Sequence, residues 1–167
     1  MIFSRTFAMP NSNTFDIPPI RDFVLRYQRE PSVDPFARNS KLAQWRNDLN
    51  PETTAEFHLD AEDFLKHFPR PVIQLAIFDP PYSPRQISEC YASIGKSAGR
   101  EDAQNARLYK RCRDALDTIM LPGGIVLSFG WNSNGMGKSR GYEMLEILMV
   151  AHGGAHNDTI CLAEKKS

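Results

Sequence analysis

The residues best suited to chemistry in this chain are Asp79-Pro80-Pro81-Tyr82, which follow the apolar run Leu75-Ala76-Ile77-Phe78 without a break. An apolar run of this length, bounded by a turn signal, reads as a buried parallel strand. Two prolines cannot continue a hydrogen-bonded ladder, so they end the strand and hold its last residues at the edge of the sheet. Three groups then meet at one point: the Asp79 carboxylate, the Pro80 carbonyl held out of any ladder, and the π-face of Tyr82. Open α/β sheets bind ligands at the carboxyl ends of their strands, which is where Asp79 falls.

The elements that must position this point can be read outward from it. Pro19–Gln28, with Ile20, Phe23, Val24 and Tyr27 at helical spacing and proline in the first turn, predicts a helix. Ser32–Phe36, Trp45–Leu49 and Phe57–Leu59 are short strand candidates. Asp60 reads as an N-cap to a helix carrying Phe64, Leu65 and Phe68, ended by Pro69 and Pro71. Val72–Phe78 is the central strand, followed by a polar stretch over Ser83–Gly99 and a helix from Glu101 to Met120. Pro122-Gly123-Gly124 reads as a turn before the strand Ile125–Phe129. A glycine-rich polar loop, Trp131–Gly141, leads to Leu145–Ala151, and a turn at His152–Asn157 returns the chain as Thr159–Ala163, a β-hairpin. The expected fold is α/β: a mostly parallel sheet with an antiparallel C-terminal hairpin.

With 167 residues the chain is expected to form a single domain over residues 1–167. Twenty basic and twenty acidic residues balance, so no global field marks a nucleic-acid binder. Locally, Ser83–Arg113 holds seven basic residues (Arg85, Lys96, Arg100, Arg107, Lys110, Arg111, Arg113) against Glu89, Glu101 and Asp102. Cys90, Cys112 and Cys161 are widely spaced and imply neither a disulfide framework nor a zinc site. With no signal-peptide pattern and no long apolar run, a soluble cytoplasmic protein with no membrane partner is expected.

Asp79-Pro80-Pro81-Tyr82 after an apolar strand resembles the signature of S-adenosylmethionine-dependent amino-methyltransferases, whose sheet is Rossmann-like. The resemblance implies methyl transfer to an exocyclic base amine, with Asp79, Pro80, Pro81 and Tyr82 catalytic. Aspartate at the first position favours N6 of adenine in DNA over N4 of cytosine. Other segments follow in the family's order and imply where S-adenosyl-L-methionine binds. Asp34-Pro35-Phe36 resembles the first motif, Asp48 within Asn47–Pro51 the ribose-binding acid, and Asp60-Ala61 the third motif. Phe7–Phe15 resembles the N-terminal motif at the methionine end, giving Asn13, Thr14 and Phe15, within an N-terminal segment 1–30 that lines the cofactor. The first motif continues as Ala37-Arg38-Asn39-Ser40 where the family carries glycines. Ala and Asn still allow a tight turn, and Arg38 either pairs with the cofactor carboxylate or fills its site.

The resemblance leaves segments 83–99 and 131–141 to face DNA, through Arg85, Lys96, Arg100, Asn132 and Lys138; single-stranded DNA or RNA are the other substrates it allows. Only eight residues join Phe36 to Trp45 and seven join Leu49 to Phe57, too few for the dozen that a helical crossover needs. The first crossover helices are therefore reduced. The sheet face so exposed should be covered by a second copy, by a partner subunit, or by the N-terminal segment. Gly137-Lys138-Ser139 lacks the first glycine of a P-loop. His152 and His156, separated by glycines, read as turn residues, and no metal is expected. A non-catalytic partner subunit of a methyltransferase assembly, weak in cofactor binding, is the alternative from another class. Cytosine N4 and RNA adenine are alternatives within the enzyme class.

Overall fold

The computed structural model describes residues 1–81, 84–92, 94–95 and 105–167. Tyr82, Lys96 and Arg100 lie outside the described residues. In chain order the elements are β1 (Ile2–Phe7), α1 (Pro18–Arg26), β2 (Ser32–Asp34), β3 (Trp45–Arg46), α2 (Ala61–Lys66), β4 (Ile73–Phe78), α3 (Pro84–Ala92), α4 (Asn105–Ile119), β5 (Met120–Gly130), β6 (Tyr142–Ala151) and β7 (Thr159–Lys166). The seven strands form one sheet in the order β1-β6-β7-β5-β4-β2-β3. Only β7 runs antiparallel to its neighbours, pairing β5 on one side and β6 on the other.

The expected α/β class and the closing β6–β7 hairpin are both present. No helix joins β2 to β3, and β3 is followed by turns and a single bridge, Asn47 to Phe57. The chain steps from β2 outward to β3 and then returns to β4 on the other side of β2. The topological switch point of the sheet therefore lies between the carboxyl ends of β2 and β4.

Side-chain alternation gives the sheet two apolar faces. Val33, Ala76, Phe78 and Val126 meet α2 and α4 on one; Leu75, Ile77, Leu127, Leu148 and Val150 meet α1 on the other. The second face is the one expected to need cover, and the N-terminal segment supplies it. Ile20, Phe23 and Val24 of α1 are fully buried there, worth roughly 1.5–3 kcal/mol each. Arg26 and the Tyr27 hydroxyl both reach the buried Glu146 of β6, at 2.6 and 2.7 Å. Burial first, and then the bond to Glu146, push the Tyr27 hydroxyl up to about 12.

Three features differ from the sequence reading. The N-terminus is not irregular: β1 pairs in parallel with β6 at the sheet edge and exposes Ile2, Phe3 and Phe7. Pro84–Ala92, expected as part of a polar loop, is the helix α3, with proline in its first turn and Ile87 buried. Pro122-Gly123-Gly124, expected as a turn before the strand, is a bulge inside β5 that leaves the chain direction unchanged. The β4–β5 register jumps there, Ile73 pairing Met120 and Leu75 pairing Ile125, and Gly123 takes φ +78°. Among the described residues no helix is long and apolar enough to cross a membrane.

Candidate functional site

Strand β4 delivers Asp79 to the switch point because Pro80 and Pro81 forbid any further pairing. Asp79 is partly exposed and Pro80 is buried. Tyr109 of α4 donates its hydroxyl to the Pro81 carbonyl, while no described residue donates to the Pro80 carbonyl. Burial raises the Tyr109 hydroxyl to about 12, and the Asp79 charge adds to the rise.

The turn after β2 is built around acids. Asp34 is fully buried; its Oδ1 accepts from the Phe36 N–H at 3.0 Å, and its Oδ2 is buried without a partner. Burial, and after it the nearby charges of Asp79 and Asp48, hold the Asp34 carboxyl well above the usual carboxylate range. Asn47 clips the turn to its neighbours, donating to the Pro35 and Leu59 carbonyls and accepting from the Leu59 N–H.

Arg38 occupies the left-handed region at φ +50°, which is where a family glycine would be expected. Its N–H donates to Asp48 Oδ2 at 3.0 Å, and Asp48 Oδ1 accepts from the Asn50 N–H at 2.9 Å. The turn is thus kept without glycine, at a cost of roughly 1–2 kcal/mol that the Asp48 acceptor offsets. The Arg38 guanidinium donates to the Ser12 carbonyl at 2.9 Å and ties the N-terminal segment to the turn.

Together these residues bound a cleft of about 680 Å³. Thr14, Phe36, Arg38, Asp48, Asp79 and Pro80 line it, together with His152 and residues of the turn after β6. Its size suits a ligand of cofactor dimensions. A neighbouring cavity of about 410 Å³ is lined by Asn13, Thr14 and Phe15 and by Phe36, Arg38 and Asp79.

Most of the residues expected at the site therefore converge, and several do not. Asp34 lies beneath the turn instead of on the cleft wall. Asp60 and Ala61 line neither cavity. Asp60 caps α2, accepting from the Glu62 N–H at 2.9 Å and from the Tyr91 hydroxyl at 3.4 Å, and Ala61 is core. Arg85 is exposed on α3 and paired with Glu89. Asn132 follows β5 at the same sheet end as Asp79.

Lys138 is misplaced by the sequence reading. The chain from Trp131 to Gly141 runs back along the sheet, where Glu164 accepts from the Met136 and Gly137 N–H groups at 2.6 and 3.0 Å. The Gly137 carbonyl also accepts from the N–H of Tyr142, which opens β6, and β6 runs parallel to β4, so this end of the sheet is opposite the one at which β4 ends. Lys138 therefore sits towards the opposite end of the sheet from Asp79.

His152 was passed over as a turn residue. It is buried at the end of β6, with Nδ1 against the Ala8 carbonyl and Nε2 against the Thr159 hydroxyl, each at 2.9 Å. Nothing local in the sequence signals this, because both partners come from other strands. Among the described residues no group of His, Cys, Asp or Glu could hold a metal ion.

Neither a protein-family model nor a curated protein sequence matches the chain. Among solved structures it is similar to TrmN from Thermus thermophilus, with TM-score 0.58, 16% identity, and 90% of this chain covering 49% of that one. It is also similar to yhhF from Escherichia coli (TM-score 0.55, 10% identity, 95% and 92% covered) and to an rRNA methylase from Streptococcus thermophilus (TM-score 0.50, 14% identity, 87% and 93% covered). The chain spans about half the length of TrmN. At these identities the likeness is one of fold, the Rossmann-like sheet with its antiparallel last strand.

Proposed function

We propose that this chain transfers a methyl group from S-adenosylmethionine to an exocyclic amine of a nucleic-acid base, N6 of adenine in DNA being the substrate that aspartate at position 79 favours. The observation that carries the reading is that Asp79 and Pro80 both line a large cleft at the switch point. An exocyclic amine is conjugated with its ring, and its lone pair is a poor nucleophile. Two acceptors, Asp79 and the Pro80 carbonyl, take the two amine hydrogens and favour a pyramidal nitrogen with its lone pair free. Asp79 also faces the positive charge that develops on that nitrogen during transfer. Tyr82 follows directly and offers a stacking face to a base swung out of its helix.

The residues present fit the cofactor. Asp48 follows β3 as an acceptor for ribose hydroxyls, and Phe36 and Thr14 line the same cleft. S-adenosylmethionine, when bound, supplies an electrophilic methyl on a sulfonium. The rRNA methylase that shares the fold favours RNA as a second substrate reading. Titration calorimetry with S-adenosylmethionine tests the cofactor. Saturable binding supports the enzyme reading, whereas no detectable heat and no thermal stabilisation favour a non-catalytic partner subunit.

A further inference from the structure

A third cavity, of about 330 Å³, adjoins the cleft and shares Pro80 and Trp131 with it. It lies on the α4 side of the sheet, walled by the rings of Phe78 and Tyr109, which meet edge-on. Its polar lining is Arg113, Ser128, Asn132 and Asn134. Among the described residues that line it there is one formal positive charge and no acid.

Two of its polar groups are unsatisfied. Ser128 is 5% exposed, and its hydroxyl is buried with no partner. Arg113 donates through Nη2 to the Asn134 carbonyl at 2.8 Å, while its Nε is buried with no acceptor. Its guanidinium also lies over the Tyr109 ring, 5.8 Å from the centroid. A desolvated guanidinium and an unpartnered hydroxyl are costly in an empty protein. An anion with several acceptor oxygens satisfies both.

We propose that this cavity is a phosphate subsite, in which Arg113 and Ser128 hold a phosphodiester of the nucleic-acid strand beside the base presented to Asp79. The inference rests on the function proposed above and adds the side from which the strand is gripped. Because the two share Pro80 and Trp131 as lining, a base in the cleft and a backbone phosphate in this cavity belong to the same stretch of strand. Neither residue stands out in the sequence: Arg113 is one of seven basic residues in its stretch, and Ser128 interrupts an apolar strand.

The test is fluorescence anisotropy with a labelled single-stranded oligonucleotide holding one adenine, across a potassium chloride series. Wild type is compared with Arg113→Gln and Ser128→Ala. Arg113→Gln should bind roughly tenfold more weakly, and the slope of log affinity against log salt should fall by about 0.7. A series of oligonucleotides, each with one neutral methylphosphonate linkage, should show one linkage near the adenine whose replacement weakens wild type but not Arg113→Gln.

Ser128→Ala keeps the test open should Arg113→Gln fold poorly, since it removes an unsatisfied buried hydroxyl. It should melt no lower than wild type, yet bind the oligonucleotide several-fold more weakly. Unchanged affinity and salt slope in both variants, while the wild type binds and methylates, would overturn the subsite and leave the methyltransferase reading intact. No oligonucleotide binding by the wild type overturns both.

Discussion

Replacing Gly135 by alanine should unlatch the segment that borders the cleft and the third cavity. A Cβ at that position would stand 1.8 Å from Glu164 Oε2 and 2.5 Å from its Cδ. The carboxylate must move by roughly 1.6 Å or more to reach ordinary contact. It is held by the Met136 and Gly137 N–H groups at 2.6 and 3.0 Å and is 2% exposed, so the movement breaks both bonds and leaves a buried charge unpaired. Hydrogen bonds to a charged group contribute about 1.5–3 kcal/mol each, so the expected loss is about 3–5 kcal/mol. In a chain of this size that lowers the melting temperature by roughly 6–20 °C.

Urea denaturation followed by circular dichroism measures the loss, and a double-mutant cycle assigns it. In a Glu164→Ala background, which removes the obstructing carboxylate, Gly135→Ala should cost less than about 1 kcal/mol. Gly137→Ala serves as a control. That residue has φ +84° and ψ 160° and nothing within 4 Å of an added Cβ, so only the backbone strain of that glycine-favouring region, about 1–3 kcal/mol, applies. An equal cost for Gly135→Ala in both backgrounds would refute the steric reasoning.

Two further outcomes follow from buried groups. The Asp34 carboxyl has its pKa raised in the folded chain, by burial first and then by Asp79 and Asp48. Its contribution to stability is therefore complete below the ordinary carboxylate pKa and declines as pH rises towards the raised one. The stability of wild type relative to Asp34→Asn should fall as pH rises above the ordinary carboxylate range, in urea melts at a series of pH values; a difference that does not change with pH contradicts this. Cys112 and Cys161 are fully buried, and burial pushes the Cys112 thiol up to about 12 and the Cys161 thiol up as well. Peptide mapping after iodoacetamide treatment of the native protein should find both unmodified, and label appearing at either before unfolding would contradict the packing.

The parts of the fold that were legible carry their signal locally. The run Leu75–Phe78 and its prolines define β4 and its end. Asp60 followed by Phe64 and Leu65 defines α2 and its cap, and Ile20, Phe23 and Val24 define the apolar face of α1. Strand β1 was illegible because an edge strand buries little, so Ile2–Phe7 shows no buried apolar run. Helix α3 was overlooked although Pro84 and the Arg85–Glu89 spacing were available as helix signals.

The site divides in the same way. Asp79, Arg38 and Asp48 are near their own strand ends, so the pattern of strands leads to the cleft they line. Lys138 was misplaced because the path of residues 131–141 is set by Glu164, far along the chain. His152, Arg113 and Ser128 gain meaning only from partners on other elements, which no local spacing records.

The most direct measurement of the central claim is transfer of a labelled methyl group from S-adenosylmethionine to matched oligonucleotides with and without adenine, in DNA and in RNA, by wild type and by Asp79→Ala. The account predicts label recovered as N6-methyladenine from adenine-containing substrate alone. It also predicts that Asp79→Ala abolishes transfer while still binding S-adenosylmethionine nearly as tightly as wild type. Label in adenine-free substrate, or transfer undiminished by Asp79→Ala, would contradict it.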